Sequence, residues 1–174
     1  MAIFLKTERL ILRNLKQKDL ECLYEYRNNE DCNRYQRYSV KEKQALANLI
    51  DLHETDLLLS TVPEQHYAIA LKTGPIIGDL SVFHQEEENC ITLGFTISYR
   101  FWKKGYAYEL LSFLIPMIRT AFSELDIVCL VDPENQNSIR LLKKLGFQEE
   151  AYYEAIHSIL FLIKADSANK QQNA

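Results

Sequence analysis

One stretch limits what this chain can fold into more than any other: Cys90 to Leu125, CITLGFTISYRFWKKGYAYELLSFLIPMIRTAFSEL. Ile91 to Ile97 is apolar or β-branched at nearly every position, which predicts a strand. A basic and aromatic turn follows, Arg100-Phe101-Trp102-Lys103-Lys104-Gly105. From near Gly105, apolar residues recur at Tyr106, Leu110, Leu114, Met117, Ile118, Ala121, Phe122 and Leu125. Steps of three and four make one continuous helix face. Pro116 falls inside that pattern, but the face continues in phase beyond it, so a bend is expected rather than a break.

A helix entered through such a turn has a specific chemical use. Its first N–H groups have no intrahelical acceptor, and its dipole makes that end positive. An anion can be bound there by backbone alone. Gly105 allows close approach to the main chain, and Arg100, Lys103 and Lys104 add charge suited to phosphate. Taken by itself, a turn of this kind is more often a solvated connection with no ligand.

The remaining elements follow from pattern. Glu8 to Arg13 predicts a first strand, and Lys18 to Asn28 a helix ending in the turn formers Asn28 to Asp31. Ser39 with Glu42 forms a capping-box pattern opening a helix to about Leu58, with Leu46, Leu49, Ile50 and His53 on one side. Tyr67–Leu71, Ile76–Phe83 and Ile91–Ile97 are strands separated by short turns, hence antiparallel neighbours. Ile127–Val131 is fully apolar and, reached through a helical crossover, parallel to Ile91–Ile97. Asn137–Leu145 predicts a helix stopped by Gly146, and Gln148–Tyr153 with Ser158–Ile163 a closing hairpin. Residues 1–165 form one expected domain, and 166–174 a polar tail.

Composition narrows the function. The chain has 174 residues, 47% hydrophobic and 25% charged, as in an ordinary globular domain with a substantial core. A net charge of -4 argues against a general nucleic-acid-binding surface. No apolar run is long enough to span a bilayer, and the N-terminus shows no export signal. The four cysteines form no CxxC pair and are read as reduced thiols, three of them in apolar or amphipathic segments; the expected compartment is the cytoplasm. No His, Cys, Asp or Glu cluster has metal-ligand spacing, so no metal is expected.

Three segments, in order, resemble the GNAT N-acetyltransferases, in the branch similar to the acetylases of ribosomal-protein N-termini (RimJ/RimL-like). TERLILRNLKQKDLECLYEYRNN resembles the family's opening strand and helix, WKKGYAYELL its acetyl-CoA pyrophosphate loop, and VDPENQNSIRLLKKLGF its second cofactor motif. The resemblance implies an α/β (α+β) acyl-CoA N-acyltransferase fold. Its sheet would be mixed, twisted and mostly antiparallel, of about seven strands, with helices on both faces and a splayed central parallel pair. It further implies that backbone of Phe95 and Ile97 pairs with the pantetheine amides, with Thr96 between them and Lys103 beside the loop. Backbone N–H groups of Lys104, Gly105, Tyr106, Ala107 and Tyr108 would hold the pyrophosphate. Asn135 would contact the arm or the substrate, and Ser138 would sit near the sulfur. The loops around Asn28–Ser39, Glu86–Glu88 and the last hairpin would border the acceptor groove.

The sequence departs from the family where acid–base residues often stand. Thr92 replaces a glutamate, and Leu142 replaces a tyrosine that protonates the thiolate. Direct attack on a thioester needs no protein nucleophile, only positioning, oxyanion stabilisation and proton management. His84, with Glu86 to Glu88 beyond it, is the candidate base, against the reading of a packed strand-end histidine and a solvated loop. Ser138 is the candidate acid, against that of a first-turn serine satisfying helix backbone. The expected activity is transfer of an acetyl group from acetyl-CoA to a primary amine. The competing expectation is a non-catalytic acetyl-CoA or CoA sensor or partner subunit. Expected partners are acetyl-CoA and an amine acceptor, with a homodimer as a further option and neither nucleic acid nor membrane.

Overall fold

Eight strands form one sheet in the order β1-β2-β3-β4-β5-β6-β8-β7. The structure is a computed structural model that describes residues 3–36 and 42–166. The strands are β1 (Ile3–Lys6), β2 (Leu10–Asn14), β3 (Glu64–Leu71), β4 (Ile76–Gln85), β5 (Cys90–Ile97), β6 (Asp126–Val131), β7 (Gln148–Tyr153) and β8 (Ser158–Ile163). The helices are α1 (Leu20–Arg27), α2 (Glu30–Asn33), α3 (Lys43–His53), α4 (Tyr106–Ala121) and α5 (Gln136–Lys144). The Ser39 cap and the residues of the polar tail past 166 lie outside the described residues.

The sheet has one strand more than the sequence predicts. β1 is a four-residue edge strand paired with β2, too short to show a period of its own. One-turn α2 was also missed, because Asn29 reads as a turn former. In fact its side chain accepts from the N–H groups of Asp31 and Cys32 and starts the helix.

Helices cover both faces because the strands alternate. Leu10, Leu12, Tyr67, Ile69, Leu80, Val82, Ile91 and Leu93 point to one side, where α4 supplies Leu110, Leu111, Leu114 and Ile118 and α5 supplies Leu142. Ala68, Ala70 and Ile76 point to the other, under Leu23 and Tyr26 of α1 and Leu46 and Ile50 of α3. α4 runs through Pro116 unbroken. α5 closes in a Schellman motif, with Gly146 at φ +92° and Phe147 N–H bonding the Leu142 carbonyl at 3.0 Å.

Two buried ion pairs fasten the second layer. Arg13 grips Asp19 bidentately, at 2.6 and 2.8 Å, and so ties β2 to the start of α1. Arg27 pairs with Asp79 on β4, whose other oxygen accepts from Tyr26 at 2.6 Å.

The feature that makes a site is the junction of β5 and β6. They run parallel but pair only at Cys90–Asp126, Ile91–Ile127 and Thr92–Val128. Beyond Thr92–Val128 the ladder goes no further. The C-terminal half of β5, Leu93 to Ile97, keeps β4 on one side and carries no ladder to β6 on the other.

Candidate active site

A cavity of about 450 Å³ opens where that ladder stops. Phe95, Thr96 and Ile97 form one wall, and the turn into α4 forms another with Trp102, Lys103, Gly105, Tyr106, Ala107 and Tyr108. Asn135 and Ser138 at the start of α5 close a third side. The structure therefore brings together Phe95, Thr96, Ile97, Lys103, Gly105, Tyr106, Ala107, Tyr108, Asn135 and Ser138 of the residues named from sequence.

The turn is built for backbone to face a ligand. Gly105 caps α4 at φ +78°, and Lys103 sits at φ +60°. Space around Gly105 is ordinary: a Cβ at this position would meet only the Arg9 guanidinium, at 3.6 Å, so conformation and not crowding asks for glycine. The helical ladder begins with Glu109 N–H to the Gly105 carbonyl at 3.0 Å. The preceding N–H groups stand at the positive end of the helix, next to the cavity.

The opening motif holds this turn from behind. Glu109 accepts from the Thr7 hydroxyl, from Arg9 N–H at 2.8 Å and from Arg9 Nε at 2.6 Å. Arg9 also donates from Nη1 to the Lys104 carbonyl at 2.9 Å and lies 4.5 Å from the Tyr106 ring centroid. Burial alone would raise the Glu109 pKa, but bonds from Thr7 and Arg9 outweigh it and hold the carboxyl below the usual carboxylate range. Lys104 is not among the lining residues; its Nζ donates to the Arg100 carbonyl at 3.3 Å and lies 5.2 Å from the Phe101 ring centroid. On the cavity side, Trp102 Nε1 donates to the Ile97 carbonyl at 2.6 Å, pinning the turn to the end of β5.

At α5, Asn135 is the N-cap and its Oδ1 accepts from Ser138 N–H at 3.2 Å. The Asn-x-x-Ser spacing is thus a cap in which the serine supplies the N–H. The Ser138 hydroxyl makes no hydrogen bond among the described residues.

His84 is not part of this assembly. β4 runs antiparallel to β5, so His84 at the end of β4 pairs with Ile91 at the beginning of β5, the opposite end from the cavity. Its ring packs 5.4 Å from Phe122, and with Glu86 to Glu88 it lines a separate surface pocket. Geometry thus leaves His84 outside the cavity lining.

Sequence reasoning missed the side of the cavity made by Asp31, Cys32, Arg34, Tyr35 and Gln36, although it placed the acceptor groove in that loop. Asp31 is the one carboxylate lining the cavity among the described residues. The Cys32 thiol is a poor nucleophile: burial pushes its pKa up, only partly offset by the Tyr99 N–H at 3.3 Å. No helix among the described residues is long and apolar enough to cross a membrane.

Comparisons with known proteins agree with this fold. The acetyltransferase (GNAT) domain family matches residues 9–148. An uncharacterized N-acetyltransferase p20 of Bacillus licheniformis is 29% identical over 151 residues, covering 84% of this chain and 83% of that protein. A GNAT-family acetyltransferase from Bacillus anthracis superposes with a TM-score of 0.80 at 21% identity, over 93% of this chain and 98% of that one. RimL, a ribosomal L7/L12 α-N-protein acetyltransferase solved with coenzyme A, superposes with a TM-score of 0.79 at 15% identity, over 95% of this chain and 99% of that one. The chain belongs to the GNAT acetyltransferase family and is an N-acetyltransferase.

Proposed function

We propose that this enzyme moves the acetyl group of acetyl-CoA to a primary amine by direct attack within a ternary complex. The observation that carries the reading is one cavity joining the unpaired edge of β5 to the N-terminus of α4. The pyrophosphate lies on the backbone N–H groups from Lys104 to Tyr108, and the pantetheine arm runs along Phe95, Thr96 and Ile97 like an added strand. The thioester then lies between β5 and the start of α5. RimL, bound to coenzyme A and acting on a protein N-terminus, is compatible with a peptide amine as acceptor, and a small-molecule amine fits the same chemistry.

The neutral amine attacks the thioester carbon, forming a C–N bond and a tetrahedral oxyanion. Backbone N–H near Phe95 to Ile97 stabilises that charge. The C–S bond breaks, Ser138 relays a proton to the departing thiolate, and the amine's proton leaves through water. Asn135 orients the arm with the amide NH2 that its cap leaves available. Asp31, on the acceptor side, draws a cationic amine toward the cavity.

The test is thiol release from acetyl-CoA with a panel of short peptides, polyamines and other amines, alongside thermal stabilisation. Turnover with at least one amine is expected. Stabilisation by acetyl-CoA with no thiol release on any acceptor points instead to a coenzyme sensor. No stabilisation by acetyl-CoA or CoA refutes both.

A further inference from the structure

A second cluster of chemically competent side chains lies where α3 meets β3, and none of its members lines the acetyl-transfer cavity. His53 is the last residue of α3. Glu64 and His66 stand two apart on β3 and so share a face of the sheet. One ligand atom from each of the three lies within 4.8 Å of the others. The imidazoles are buried, with ring centroids 4.7 Å apart, while Glu64 reaches in from the rim.

The outer partners are those that a metal-binding histidine needs. The Asp56 carboxylate is 2.7 Å from His53 Nδ1, and Ser81 Oγ is 3.1 Å from His66 Nδ1. Each contact fixes its ring and leaves Nε2 as the ligand atom. Glu64 Oε1 lies 2.7 Å from His66 Nε2, so carboxylate and imidazole already address one point. Two imidazoles and a carboxylate are a zinc donor set, and bond lengths of about 2.0–2.2 Å place tetrahedral ligands roughly 3.5 Å apart, within side-chain rotation of the triangle here.

We propose that His53, Glu64 and His66 bind one zinc-class divalent cation through the two Nε2 atoms and a carboxylate oxygen, with solvent completing the coordination. Asp56 and Ser81 orient the ligands. The ion ties the end of α3 to β3 and stabilises the chain by mass action, independently of acetyl transfer.

The test uses the full chain stripped with a chelator and dialysed against zinc. One zinc per chain and a zinc-dependent rise in Tm are expected. Glu64→Gln, a change at the exposed rim that leaves the packing intact, should weaken zinc binding at least about ten-fold, and Asp56→Asn about ten-fold. Cobalt in place of zinc should give visible bands of a four- or five-coordinate ion that Glu64→Gln diminishes. Substoichiometric uptake by the wild-type chain overturns the proposal. Wild-type zinc affinity in Glu64→Gln, or uptake lost only on Cys22→Ser, also overturns it by placing the ion elsewhere.

Discussion

Arg9 and Glu109 lie a hundred residues apart in the chain and meet twice, through the Arg9 backbone N–H at 2.8 Å and its Nε at 2.6 Å. The same guanidinium holds the Lys104 carbonyl, so an opening-strand residue fixes the shape of the turn at the head of α4. Neither side chain needs to touch a ligand for the pair to matter. Arg9→Ala should raise the KM for acetyl-CoA roughly ten-fold, the worth of one charged hydrogen bond, with a smaller effect on kcat. Calorimetric titration with acetyl-CoA, set beside the KM and kcat split, checks this. An unchanged KM would remove Arg9 from the positioning role.

The same contact makes stability depend on pH with a definite sign. The Glu109 carboxyl titrates lower in the folded chain than in the unfolded one. Between the two values the unfolded state binds more protons, so stability rises with pH there. The contribution is present above the unfolded pKa and is lost as pH falls through the folded one. Tm measured from about pH 6 down to about pH 3 should fall less steeply in Glu109→Gln than in the wild-type chain.

Gly105 separates strain from charge. Alanine at φ +78° meets no crowding but must adopt the left-handed conformation, a cost of about 1–2 kcal/mol in stability. Gly105→Ala should therefore lower Tm while largely keeping acetyl-CoA binding. Gly105→Glu adds a carboxylate beside the proposed pyrophosphate site and should abolish binding. Calorimetry on both variants tests the pair, and wild-type affinity in Gly105→Glu would refute a phosphate site at that turn.

The buried Arg27–Asp79 pair gives a stability prediction. Asp79→Ala takes the buried carboxylate away from both Arg27 and the Tyr26 hydroxyl, at a cost of about 3–5 kcal/mol. Replacing both, Arg27→Met with Asp79→Leu, should recover much of that loss. Urea unfolding of the single and double variants measures both, and a double variant as weak as the single would mean that the pair contributes more than mutual neutralisation.

Local pattern made most of the scaffold legible. β5, α4 and β8 stand where alternation and the 3.6-residue period placed them, because each buries one face against a continuous core, while β7, exposed along most of its length, is held by its pairing with β8. β1 and α2 escaped because neither is long enough to carry a period: β1 exists through pairing with β2, and α2 through the Asn29 cap. At the cavity, the ordered motifs marked the turn and the start of α5. Asp31 and Tyr35 carried no local signal and reach the cavity only through tertiary placement. His53 and Glu64 show no ligand spacing in sequence, since one lies on a helix and the other on a strand. His84 is the opposite case. Its position beside β5 was legible, but which end of β5 it adjoins follows from the antiparallel register.

That register yields the sharpest test of the proposed chemistry. Ser138 lines the cavity with its N–H spent on the Asn135 cap and its hydroxyl available. If it relays the proton to the thiolate, Ser138→Ala should lower kcat by about 100-fold, the low end for general acid catalysis, with little change in acetyl-CoA affinity. A merely structural serine predicts the reverse, a drop in Tm at constant kcat. His84, packed on Phe122 at the far end of the strand, predicts a third pattern. His84→Ala should leave both kcat and its pH profile unchanged. A loss of the alkaline-side or neutral inflection in that variant would mean that a chain of waters links the two ends of β5, and the proton path proposed here would have to be redrawn through it.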